Sequence, residues 1–246
     1  ERERPGRFDG LDDRLFIDIA AALHVRFAPT SRVIAQGRVS VAVALAHARR
    51  LINEQNVPRV LIAATDTLLT WPTLSHYERN DRLLTARNSN GFMPGEGAGA
   101  LLIEAPAGGA ELLCTGIGFG VESAHIDAGE PLRADGLTAA IKAALADAGV
   151  EMHDLDFRIT DIAGEQYYFK EASLALSRTL RKRKEEFDLW HPAESMGESG
   201  AVAGIAIIGL AEAACRKGYA PGRGVLAHLA ADTGARAAIA LRFEAR

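Results

Sequence analysis

The pattern of apolar and polar positions changes character at residues 37–52, GRVSVAVALAHARRLI, where small and apolar residues run around nearly the whole circumference of a helix. A helix of that kind is buried. Ala42, Ala44, Ala46 and Ala48 let neighbouring backbones approach closely, and Arg49 and Arg50 place cations at the end the helix dipole favours. The other end is less comfortable. Gly37 and Arg38 open the helix, so a guanidinium sits where free backbone N–H groups and the positive end of the dipole converge. Either Arg38 lies on an exposed first turn, or it needs anionic partners.

The remaining pattern is read in chain order. Residues 12–27 have helical spacing ended by Pro29. Residues 59–65 and 99–104 read as interior strands, neighbours in a mainly parallel sheet, with a polar helix at 74–84 and a loop at 88–99 between them. Turn residues at 106–109 mark an internal boundary, which divides the chain into 1–107 and 108–246. Beyond it follow a strand at 111–120, an amphipathic helix at 134–149, a strand at 157–160, a helix at 166–183 and a short strand at 187–190. A second Ala-rich buried helix at 200–218 precedes strands at 224–229 and 237–243. Alternating strands and helices predict an α/β fold, and a buried Ala-rich helix in each half predicts a pseudo-duplication.

Composition narrows the partners. With 246 residues, 48% of them hydrophobic, the chain buries a large core, and a net charge of −4 gives no reason to expect nucleic acid or an anionic membrane. The basic run 181–184 is followed by Glu185 and Glu186, which on a helix gives i,i+4 pairs. No apolar run of about 18 residues is present, and ERERPGRFDG holds neither a signal-peptide core nor an initiating Met. The expectation is a cytoplasmic protein, with its true start left open. Cys114 and Cys215 lack metal spacing and read as small core residues, and neither a metal nor a cofactor is expected.

Two GxGxG spellings, at 95–99 and 116–120, do not form the GxGxxG of a dinucleotide fold. GESG at 197–200 falls one residue short of a hydrolase nucleophile elbow on Ser199. His47 reads as a satisfied core histidine.

The loop GFMPGEGAGALLIE (91–104) is more specific. It resembles the signature turn of the β-ketoacyl-acyl-carrier-protein synthases, condensing enzymes of fatty acid biosynthesis with the thiolase-like fold. IGFGVESAHID (117–127), DGLTAAIKAALADAGV (135–150) and SMGESGAVAGIAIIGLAEAA (195–214) resemble further family segments in the family's order. The resemblance runs over roughly residues 31–243. It implies a layered αβαβα architecture with two pseudo-repeated halves, mixed but mainly parallel sheets, and the homodimer that this fold usually forms.

The same resemblance implies a lost reaction. In these enzymes a Cys at the N-terminus of the buried helix takes the acyl chain, its thiol acidified by the helix dipole. Two His drive decarboxylation and stabilise the oxyanion. Aligned with the family, Arg38 stands at the Cys position, Asp161 and Glu198 at the two His positions, and Ala193 or Glu194 at the family Lys. The glycine-rich C-terminal loop with its Phe gate is unrecognisable at 227–234. Arg38 is expected to be held by Asp161 and Glu198, both ionised.

The functional expectation is a condensation-inactive, ketosynthase-like protein that binds an acyl group or carrier protein, or acts as an assembly partner. Acyl carrier protein and acyl-CoA thioesters are the implied partners. The alternative is an acyltransferase with an unorthodox site, in which Ser40 replaces the thiol beside Asp161 and Glu198. A hydrolase built on Ser199 stands third. Family members carry a much longer segment before the nucleophile helix, whereas 37 residues precede Arg38 here. Either the protein is naturally shortened or residues are absent from the chain as given; in the first case the sheet of the first half has an unpaired edge for a partner subunit or another chain to cover.

Overall fold

The computed structural model describes residues 3–245. α1 (Leu11–Leu23) is followed by an extended segment and a single 3₁₀ turn, Gly37–Val39, that runs into α2 (Ser40–Gln55). β1 (Arg59–Thr67), α3 (Trp71–Arg79) and β2 (Glu96–Glu104) complete the first part. The second part contains β3 (Glu111–Val121), α4 (Asp135–Ala148), β4 (Phe157–Thr160), α5 (Gln166–Thr179) and β5 (Leu189–Trp190). It continues with α6 (Ala193–Met196), a 3₁₀ turn at Gly200–Val202, α7 (Ala203–Lys217), β6 (Gly224–Ala230) and β7 (Ala235–Glu244).

Two sheets result. β3, β7, β6, β4 and β5 form one in that order, antiparallel across β3–β7–β6 and parallel across β6–β4–β5. β1 and β2 form the other, antiparallel from Arg59↔Glu104 to Thr67↔Glu96, which corrects the expected parallel pairing. The chain between them folds back on itself, so β2 starts beside the end of β1, where the Leu68 N–H donates to the Gly95 carbonyl at 3.0 Å. An apolar run predicts burial of a strand but not its direction.

The pseudo-repeat is visible in detail. Each buried helix is entered through a 3₁₀ turn that begins on a left-handed glycine, Gly37 at φ 56° and Gly200 at φ 57°, and each is followed by an antiparallel strand pair. α2 and α7 pack together because Gly204 lets Val41 lie against its backbone. Their apolar faces, with Leu45, Ile205, Ile207 and Ala211, join Val225, Ala227 and Ile239 of the five-stranded sheet in the main core. That sheet's other face carries α4, packed on Leu226 and Ala238.

Glycine sets how closely α4 sits. A Cβ at Gly116, Gly118 or Gly120 would lie under 3.0 Å from the carbonyl oxygen of Ala144, Ala140 or Gly136 respectively. The GIGFG spelling is therefore a docking track for a helix backbone. On β1 and β2 the inward residues include Ile62, while the outward cross-strand pair Leu61 and Leu102 is 67% and 56% exposed.

Several boundaries shift for local reasons. α1 ends at Leu23, before Pro29, because His24 turns left-handed at φ 54° and its N–H closes on Ala20. α3 begins earlier than expected because Pro72 suits a first helical turn, and it ends before Asp81, which is left-handed at φ 52°. α5 stops at Thr179, so the basic run at 181–184 lies beyond the helix and its i,i+4 pairing is lost. Lys184 instead donates to the carbonyls of His153 and Leu155. His47 is also corrected, since its buried Nε2 has no hydrogen-bond partner.

The helix track predicts a graded response to added methyl groups. Gly118→Ala should destabilise by about 1–3 kcal/mol in urea unfolding, as overpacking against a backbone does. Gly109→Ala, where an added Cβ meets nothing within 4 Å, should stay within about 0.5 kcal/mol of wild type.

Candidate functional site

Arg38 lies in the 3₁₀ turn ahead of α2 and is 7% exposed, so the first-turn alternative in which it escapes to water does not hold. The structure brings Asp161 and Glu198 to it. Arg38 Nη1 donates to Glu198 Oε2 at 3.1 Å, and Nε lies 3.7 Å from Asp161 Oδ2, beyond good hydrogen-bond distance. The closer partners are elsewhere. Nη2 donates to Asp232 Oδ1 at 2.5 Å and to Tyr168 Oη at 2.6 Å.

A second guanidinium completes the cluster. Arg82 grips Glu165 through Nε and Nη2 at 2.7 and 2.8 Å, and its Nη1 donates to Asp232 Oδ2 at 2.7 Å. Asp232 thus joins both guanidinia, and the Tyr168 hydroxyl donates to it as well. The edges of the fold bring these groups together. Asp161 follows β4, Tyr168 lies in the first turn of α5, Asp232 is in the β6–β7 turn, and Arg82 follows α3. Arg82, Glu165, Tyr168 and Asp232 were not identified from sequence. Asp232 lies inside the 227–234 stretch, where the family's C-terminal loop is unrecognisable.

Burial and pairing act on the carboxylates in opposite directions. At Asp232 burial works against ionisation, but Arg38 and Arg82 outweigh it and hold the carboxyl well below its usual range. At Glu198 burial dominates over Arg38 and pushes the group up to about 7, and Asp161 is raised for the same reason. The expectation of an ionised carboxylate is corrected at Glu198 alone: Arg38 is shared with Asp232, leaving too little attraction to offset desolvation there.

Other candidates are occupied differently. Ser40 is buried, and its Oγ accepts the Gln36 N–H at 3.0 Å, so the hydroxyl caps backbone. Ser199, within the 197–200 segment, is 1% exposed. Glu194 pairs with His191 at the surface and Ala193 opens α6, so neither reaches Arg38. His228 bonds Thr160 Oγ1 at 3.1 Å, and burial pushes it down to about 3, which keeps it neutral. Cys114 packs half-buried against the main core, and burial raises its thiol to about 11, the reverse of an activated nucleophile.

Little space is left. Beside Arg38, Arg82 and Asp232 the room for the centre of a water molecule is about 20 Å³, enough for one water and too small for an acyl chain. Arg4, which pairs with Asp66, lines the same space. The 91–97 loop seals another side. Gly95 N–H donates to the Glu198 carbonyl and Glu198 N–H to the Met93 carbonyl, each at 2.8 Å, and a Cβ at Gly95 would strike the Met196 carbonyl.

No protein-family model matches the sequence, and no curated protein matches it. Solved structures do. One is a ketosynthase (ApeO) in complex with its chain length factor (ApeC) from Xenorhabdus doucetiae, at TM-score 0.71 and 15% identity over 96% of this chain and 72% of that one. The ishigamide ketosynthase/chain length factor matches at TM-score 0.76 and 21% identity, over 95% and 65%. AntDE:AntF, a type II PKS acyl-carrier protein in complex with its ketosynthase, matches at 0.78 and 16%, over 92% and 66%. This chain has the thiolase-like fold of the ketosynthases. It spans about two thirds of the length of these neighbours. The GFMPGEGAG turn packs against the entry to α7, with Gly95 against the Met196 carbonyl and Gly99 against Ile205. Among the described residues no helix is long and apolar enough to cross a membrane.

Removing Arg38 leaves Glu198 and Asp161 without their cation and takes one from Asp232. Arg38→Ala should therefore destabilise by about 3–5 kcal/mol in urea unfolding near neutral pH. Arg82→Lys should also destabilise, because an ammonium cannot reproduce the two-point grip on Glu165.

Proposed function

We propose that this protein is a ketosynthase-like subunit that does not condense, and that it works as an assembly partner. Arg38 carries this reading: a guanidinium tied to Glu198, Asp232 and Tyr168 occupies the entrance to α2, where the family resemblance expects an acyl-accepting thiol. Guanidinium is no nucleophile at neutral pH, and the space around it admits no acyl chain.

An assembly role also fits the outward face of β1 and β2. Leu61 and Leu102 stand side by side there, flanked by the Arg59–Glu104 pair, in a patch suited to a protein surface. The partner we favour is a second copy of this chain or a ketosynthase-type chain, in line with neighbours solved with a chain length factor or an acyl-carrier protein. Carrier-protein docking belongs to the same reading. We further propose the division at 106–109 as the join between two thiolase-like halves, 1–107 and 108–246.

The acyltransferase reading through Ser40 is weaker, because its Oγ already accepts a backbone N–H and its relatives in the cluster are engaged with guanidinia. Intact-mass spectrometry after incubation with acyl-CoA and acyl-carrier-protein thioesters, with malonyl donors in parallel, separates the two. The expected result is no added acyl mass and no release of CO₂. An adduct lost in Ser40→Ala but kept in Cys114→Ala would overturn the subunit reading; one lost in Ser199→Ala would point to a hydrolase. For assembly, Leu61→Asp together with Leu102→Asp should shift the protein towards monomer in sedimentation velocity.

A further inference from the structure

The two halves of the chain close on each other through matched groups. The turns that open α2 and α7 read Gly37-Arg38-Val39 and Gly200-Ala201-Val202, and each begins on a left-handed glycine. An Asp-Thr pair marks the end of the first strand in each antiparallel pair, Asp66-Thr67 closing β1 and Asp232-Thr233 lying just beyond β6. Each Asp crosses to the other half's turn. Asp232 meets the Arg38 guanidinium, and Asp66 Oδ2 accepts the Ala201 N–H at 2.9 Å. Ala201 has no charge to offer where its counterpart Arg38 has one. A guanidinium meets Asp66 nevertheless, and it comes from Arg4: Nη1 donates to Asp66 Oδ2 at 3.1 Å and Nη2 to Oδ1.

The acceptor is fixed by groups other than this ligand. Asp66 Oδ1 accepts the Thr67 N–H at 2.9 Å and Oδ2 the Ala201 N–H, so two backbone donors set the plane of a carboxylate whose side chain is 8% exposed. Gly200 leaves the room: a Cβ there would lie 2.1 Å from Asp66 Oδ2 and 3.2 Å from Arg4 Nη1. Burial works against ionisation at Asp66, but Arg4 and the Ala201 N–H outweigh it and hold the carboxyl below its usual range. The two residues after Arg4 are gripped as well. The Pro5 carbonyl accepts from Thr73 Oγ1 at 2.6 Å, Thr73 Oγ1 lies 2.8 Å from Thr70 Oγ1, and a Cβ on Gly6, at φ 86°, would come to 2.7 Å from Thr70 Oγ1. Burial falls away beyond them, since Phe8 is exposed and α1 has no buried residue.

We propose that Asp66, the Gly200–Val202 turn and the Thr70–Thr73 pair form a recognition site for an Arg-Pro-Gly segment, filled here by residues 4–6 and competent to hold the same segment presented by another chain. The carboxylate selects arginine because a planar guanidinium meets both of its oxygens, which a lysine ammonium cannot do. The glycine is selected by its positive φ and by the Thr70 hydroxyl. Arg4 also lines the space beside Arg38, so the arginine that fills the site helps to close that space. The site rests on this geometry and not on the assembly role, and either can fail without the other.

Arg4→Ala provides the empty site, and the probe is a peptide of residues 3–9, ERPGRFD, blocked at both ends. In calorimetry Arg4→Ala should bind one peptide per chain, at least about tenfold more tightly than the same peptide with citrulline, a neutral isostere, in place of Arg4. Wild type, whose site is filled, should bind neither. On binding, the Ala201 amide resonance of Arg4→Ala should return towards its wild-type position. Equal affinity for the two peptides, no binding by Arg4→Ala, or equally tight binding by wild type would overturn the site. If Arg4→Ala does not fold alone, each peptide is added during refolding: recovery with the arginine peptide only supports the site, and recovery with both or with neither refutes it.

Discussion

A guanidinium buried at the entrance to a helix is the constraint on which the rest of this structure depends. At that position Arg38 meets the positive end of the α2 dipole and has lost its water, so only carboxylates close by can stabilise it. The fold supplies them from three directions, after β4, before α7 and in the β6–β7 turn. Asp232 matters most, since it lies between Arg38 and Arg82 and makes one network of two ion pairs. That sharing also explains why Glu198 is left weakly compensated: the guanidinium's shortest bonds go elsewhere.

The cluster can be held together only if the surrounding backbones come very close. Small residues do this throughout. Gly204 seats Val41 between α2 and α7, the β3 glycines seat α4, and Gly95 lets the 91–97 loop meet the Met196 carbonyl. The same close packing leaves room for one water beside the guanidinia. The thiolase-like frame thus surrounds a closely packed group of charged side chains.

Packing is uneven between the two sheets. The five-stranded sheet lies between α4 on one face and α7 with α2 on the other, whereas the β1–β2 pair turns Leu61 and Leu102 outward. These cross-strand leucines leave an apolar patch in water on this half of the molecule.

Much of this was legible in the sequence because it depends on local pattern. The apolar wrap of residues 37–52 determined a buried helix, the two Ala-rich helices determined a repeat, and the order of glycines in GFMPGEGAG pointed to the fold. Arg38, Asp161 and Glu198 were found by their places in motifs. What tertiary structure alone decided involves residues far apart in the chain. Strand direction in the β1–β2 pair depends on how a connection folds back, which periodicity does not encode. Asp232 lies 194 positions from Arg38, and Arg82 carries no periodic or motif signal, so their roles appear only when strand ends and loops converge. The upward shift at Glu198 was likewise beyond sequence, because it is set by desolvation and by competition for one guanidinium, both properties of three-dimensional packing.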